Sequence, residues 1–118
     1  LHQAILVNAR LERANFTDAN LTEADISDAN LTGAILAKVR FYQANLRRSR
    51  LNRADLSRAD LRKADLSETS LIEAYLGRAD LSHANLREAN LAKAELSSAN
   101  LTDASLTGAT MPDGVIHE

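Results

Sequence analysis

The side chains best equipped for chemistry are His2, His83 and His117, the many serines and threonines, and the carboxylates Asp55, Asp60 and Asp65. A histidine beside a hydroxyl would make a base and nucleophile, and two carboxylates at a fixed separation would make an acid–base pair. Neither set assembles. The histidines are far apart, and ten Ser or Thr residues fall at one recurrent position where they read as bend formers. Cysteine is absent, which removes disulfides, thiolate zinc sites and thiol nucleophiles. No glycine-rich phosphate loop or calcium loop spacing occurs. No catalytic, metal or cofactor-binding residue is expected, and hence no cofactor.

Positive charge is the remaining feature with chemical content. Nine of the 14 basic residues lie between Lys38 and Lys63, opposed only by Asp55 and Asp60, a local excess of seven. Within that belt Arg40, Tyr42, Arg47, Arg48, Arg50 and Arg62 form a candidate partner-binding set, because arginine with an exposed tyrosine is interface composition. The first 30 residues are acidic by contrast. The whole chain has a net charge of −2 and four aromatics, which suits neither a general polyanion binder nor a stacking platform for a nucleic acid strand.

What must position these groups is read from the apolar residues. Every fifth residue from Leu1 to Ile116 is large and apolar: of 24 such positions 19 are Leu, the others being Phe16, Ile26, Phe41, Met111 and Ile116. Two residues before each, from Ala4 to Gly114, 19 of 23 positions are Ala, and between the two stands Asn or Asp in 12 of 23 cases. A spacing of five advances roughly 140° on a helix, so no stripe would form. In a flat strand an odd spacing throws successive leucines onto opposite faces. The pattern demands a bend in every repeat, with Leu and Ala turned inward and the other three residues outward. Asn, Asp, Ser and Thr are expected to form those bends. Ser49 and Thr69, polar at inward positions, are expected to find backbone partners locally.

This A-(D/N)-L-x-x array resembles the pentapeptide repeat family over nearly its full length, and the closing Met111-Pro112-Asp113-Gly114 resembles the terminus of many cyanobacterial members. The resemblance implies an all-β fold, a right-handed quadrilateral β-helix (a pentapeptide-repeat solenoid) with four repeats per coil and just under six coils, forming a single domain over 1–118. The implied rod is roughly 28 Å long at about 4.8 Å per coil. With 20 residues per coil, Arg53, Glu73, Lys93 and Asp113 are expected to stack as an alternating ladder and Arg40 to lie over Asp60. His83, between Lys63 and Asp103, would be the only histidine with charged ladder neighbours.

The expected function is that of a non-catalytic scaffold for protein–protein interaction, regulatory in role. The alternative implied by the family is a DNA-mimicking binder of a type II topoisomerase such as gyrase, although a basic belt runs against DNA mimicry. The partner is expected to be another protein, with self-association through an end coil left open; neither a membrane nor nucleic acid is expected. The cytoplasm is the expected compartment, or a lumenal or periplasmic one had a leader been removed, since the chain opens at Leu1 with no initiator Met.

Overall fold

The computed structural model describes residues 1–118. Each five-residue unit contains one β-turn, seen in the Leu21-Thr22-Glu23-Ala24 unit as an Ala24 N–H bond to Leu21 C=O at 3.0 Å. The five positions of a unit, starting from a leucine, are core, first turn, second turn, small and outer. The second-turn residue has φ near +60° in every unit from Gln3 to Asp103. A positive φ confined to the third residue of the turn defines type II geometry. Twenty residues other than glycine adopt it, each at a cost of about 1–2 kcal/mol for an L-residue. No Val, Ile or Thr stands at any second-turn position, since β-branching would make that conformation costlier still.

What offsets the strain is a nearly complete hydrogen-bond lattice, and residues 24–28 show its rule. Asp25 N–H bonds back to Ala4 C=O, while Ile26 and Asp28 N–H bond forward to Asn45 and Arg47 C=O. The remaining amide, that of first-turn Ser27, donates to the Oδ1 of outer Asp25 at 3.2 Å. Asn8, Asp18, Asp28 and Asp103 take the left-handed turn position as anticipated, but the recurrent Asn and Asp at the outer position serve the bend from outside it. They stand just before the bend and cap its first amide, as in Asn15 with Thr17 and Asn45 with Arg47. Glu95 performs this capping with a longer side chain on Ser97, and where Ser70 cannot, Asn52 in the preceding coil accepts from Ile72 N–H. After Thr110 no cap is needed, because Pro112 has no N–H.

Outer residues form parallel bridges with a constant register of 20 from Ile5↔Asp25 to Asn90↔Thr110. Twenty residues make one coil of four sides, and pairing occurs as isolated bridges instead of long strands. The first face carries outer residues Ile5, Asp25, Asn45, Asp65, Asn85 and Ser105; the second Arg10, Asn30, Arg50, Ser70, Asn90 and Thr110. Asn15, Ile35, Asp55, Tyr75 and Glu95 mark the third face, and Asn20, Arg40, Asp60, Asp80 and Asn100 the fourth. The shape is a stout prism of 34 × 23 × 22 Å, longer than coil spacing alone suggested and nearly square in section.

Core and small residues from Leu21 to Ala94 fill the interior as one cluster of 28, with Phe41 and the leucines essentially inaccessible. Ser49 and Thr69 donate their hydroxyls to Leu46 and Leu66 C=O at 2.6 Å, so polarity inside the tube is locally satisfied as expected. Two core assignments fail, at the two ends of the array, and Leu1 is 66% exposed. Ile116 is 53% exposed, because the left-handed residue shifts to Gly114 and the chain reverses there. Ile116 then pairs antiparallel with Thr110, and Val115 and His117 C=O accept from Met111 and Gly108 N–H.

Candidate protein-interaction surface

The lattice decides where each outward side chain stands, and it divides the candidate set in two. Arg40 projects from the fourth face, and Tyr42 and Arg62 occupy successive coils at the corner between the fourth and first faces. Arg47 and Arg48 lie at the next corner, with Arg50 beyond it on the second face. Tyr42 therefore does not flank the Arg47–Arg50 group, since the whole first face intervenes. Proximity in sequence had joined residues that two right-angle bends separate.

Each group ties down some of its charge and leaves one arginine free. Arg62 is held on both sides: its guanidinium makes two 2.7 Å bonds to the Asp60 carboxylate and lies 5.0 Å from the centre of the Tyr42 ring. The bidentate bond raises the Arg62 pKa and holds Asp60 below the usual carboxylate range, with Arg40 assisting through its charge. Lys63 approaches the same ring at 6.0 Å. At the other corner Arg48 bonds Asp28 in the preceding coil, Nε to Oδ1 at 2.9 Å, and reaches Glu68 in the following coil at 3.9 Å. That bond lowers the Asp28 pKa and raises that of Arg48. Arg47 meets Glu68 at 3.6 Å, whereas Arg40 and Arg50 have no carboxylate within 4.0 Å.

The expected alternating ladder is not formed. Arg53, Glu73 and Lys93 share one column, yet none approaches another within 4.0 Å, and Arg40 does not pair with Asp60. Long side chains at an exposed corner gain too little from pairing to give up their freedom. Some pairs that do form are short or diagonal, Asp60 with Arg62 two residues on and Arg47 with Glu68 one position off its column, while Asp28, Arg48 and Glu68 stack along a single column at the 20-residue register. His83 meets its ladder neighbour Asp103 at 3.7 Å as expected, and His2 meets Glu23, one position off its own ladder, at 3.7 Å. Asp55, Asp60 and Asp65 fall on three different faces, as the bends required.

The profile of the pentapeptide repeats family matches the chain in 8 copies, over residues 1–33, 24–62, 34–71 and 74–111. The chain belongs to the pentapeptide repeat family. Its members are right-handed quadrilateral β-helices, in agreement with the four-sided lattice described above. The pentapeptide repeat protein Rfr23 from the cyanobacterium Cyanothece 51142 is 34% identical, with a TM-score of 0.73 over 74% of this chain and 59% of that one. The chain thus spans little more than half of that relative. A pentapeptide repeat protein from Nostoc, alr5209, is 42% identical over 69% of this chain and 67% of its own, with a TM-score of 0.68. QnrB1, a plasmid-mediated fluoroquinolone resistance protein, shares the fold at 21% identity and a TM-score of 0.57 over 92% of this chain and 70% of its own. No curated protein sequence matches. No helix is long and apolar enough to cross a membrane.

Proposed function

We propose that this pentapeptide repeat chain is a non-catalytic scaffold, one unit over residues 1–118 with just under six coils, whose outer faces bind another protein in a regulatory role. The observation that carries the reading is the contrast between a lattice with every buried side-chain polar atom partnered and outward guanidiniums, Arg40 and Arg50, that the chain leaves unpaired. A stiff frame presenting unspent cations suits recognition of an acidic protein surface, where complementary charge steers encounter and selects partners. DNA mimicry has less support, because the central coils are basic and the likeness to QnrB1 is one of fold.

The test replaces Arg47 and Arg50 by Glu and keeps Arg48, whose loss would stack carboxylates between Asp28 and Glu68. Capture of the natural partner should fall, most at low salt, with melting unchanged. Unchanged capture would move the partner to another face. Topoisomerase binding that survives or improves would favour the mimic.

A further inference from the structure

Around the second face the second coil is cut low. Its outward residues there are Asn30, Thr32 and Gly33, the last with no side chain, while the coils on either side carry arginines. Two open clefts result: one of about 600 Å³ whose lining includes Arg10, Asn30, Arg48 and Arg50, and one of about 360 Å³ between Arg13 and Arg53 over Thr32 and Gly33. They lie side by side along the same coil, so together they form a groove across the prism with arginines on both banks. The banks are two coils apart, about 10 Å at the usual strand spacing. Arg10, Arg13, Arg50 and Arg53 are all exposed and have no carboxylate within 4.0 Å.

A second, independent feature sits on the same banks. Arg10 and Arg50 occupy outer positions where the repeat elsewhere places the capping Asn or Asp. Consequently the first-turn amides of Glu12 and Asn52 have no acceptor within the chain, although the intervening coil retains its cap from Asn30 to Thr32 N–H at 3.1 Å. Both banks have given up a backbone cap for a guanidinium, and each now offers a free N–H donor beside it. Glu12 itself lines the larger cleft, so its free amide stands on that bank.

We propose that this groove binds an extended acidic peptide, with one carboxylate clamped between Arg10 and Arg50 and a second, two residues along, between Arg13 and Arg53. Carboxylates two apart in an extended chain are separated by roughly 6.7 Å, which fits clefts three positions apart around a turn. Arginine forks are suited to such carboxylates. Backbone addition to the sheet plays no part, because the second coil is already bonded on both sides, as at Asn30 to Ala9 and Leu31 to Arg50. A single-stranded nucleic acid fits less well: no aromatic lines either cleft for base stacking, and Glu12 and Asp28 interrupt the positive field. The proposal rests on the protein-binding reading and supplies its partner chemistry.

The probe is a fluorescein-labelled peptide of alternating Glu and Ser, followed by anisotropy at low salt. The double variant Arg10→Asn with Arg50→Asn restores both caps, so its melting temperature should hold or rise while peptide affinity falls roughly tenfold or more. Arg13→Gln with Arg53→Gln should weaken binding similarly, and Arg58→Gln with Arg78→Gln, at a different corner, should leave it unchanged. Equal losses in all three variants would reduce binding to bulk charge and overturn the groove. So would the absence of peptide binding to the parent chain, or displacement of the peptide by oligo-dT at lower concentration. In either event partner capture that still depends on Arg47 would leave the scaffold reading standing.

Discussion

The core column through Phe41, Leu61 and Leu81 and the first-turn column through Tyr42, Arg62 and Ser82 are neighbours in sequence and follow opposite rules. In the core column every residue is large, apolar and fully buried, because such a side chain has one place to go among its coil-to-coil neighbours. In the first-turn column an aromatic, a cation and a hydroxyl stack in turn, and the backbone beneath them is the same. The inner positions specify the solenoid; the outer ones are released from folding and can be spent on recognition. Even so, an outward charge is not automatically a usable one. Arg62 is tied to Asp60 and Tyr42, while Arg50 faces the second face with nothing to hold it.

The inside can be broken by one residue. Leu56 is fully buried, and Leu56→Asp should cost at least about 4 kcal/mol and unfold the coils that stack on it. Arg58→Asp, two positions away at an exposed turn, should move the melting temperature little. Thermal melts by circular dichroism compare the two directly. Equal melting would mean that inside and outside do not differ as claimed.

A smaller effect separates residues by φ alone. Arg58 has φ of 59°, so Arg58→Ile should cost about 1–2 kcal/mol through β-branching in the left-handed region. Arg58→Gly should remain close to the parent, since relief of strain and the added entropy of unfolding nearly cancel. Urea titrations would register the contrast, and equal stability of the two would argue against a strained turn.

Capping lies at the border between the two regimes. Asn45 accepts from Arg47 N–H at 3.0 Å, and Asn45→Ala should cost about 1 kcal/mol by leaving that amide without its acceptor. Arg40→Asn should change stability in the opposite sense, because Tyr42 N–H currently has no acceptor within the chain. The pair, measured in urea, isolates the cap from the loss of side-chain volume.

These variants also mark what was legible in the sequence. The five-residue period dictated the bend, the inward pair and the packing of Leu56 and Ala54, because only one arrangement buries both columns. That Asn45 would bond nearby backbone was legible, but not which amide it caps, since a polar residue next to a bend reads as part of it until the hydrogen bonds are counted. Nor was the reversal at Gly114: Ile116 keeps the period, but the left-handed residue stands one position late and the chain turns back onto Thr110. The basic belt was visible as composition, yet its division between two corners depends on bends that linear spacing does not display. Arg10 and Arg13 escaped notice for the same reason, lying 40 residues from their partners Arg50 and Arg53 and two coils away in space.

The smallest expected effect concerns the tied arginine and acid pH. Asp60 titrates below its ordinary value of 3.8, chiefly because Arg62 bonds its carboxylate, with Arg62 N–H and the Arg40 charge adding to the shift. A carboxylate whose pKa is depressed on folding stabilises the native state above its unfolded pKa and loses that contribution as pH falls through the folded one. The pair should therefore contribute fully from about pH 5 upward and fade below about pH 4. Arg62→Gln should lower the melting temperature slightly at neutral pH and reduce its fall on acidification, because the group to be protonated no longer has a partner to lose. The same replacement at Arg50, which pairs with nothing, should leave the acid limb as it was. An acid limb altered equally by both would show that Arg62 is no more tied than Arg50, and the distinction between spent and free charge on the outer surface would fall with it.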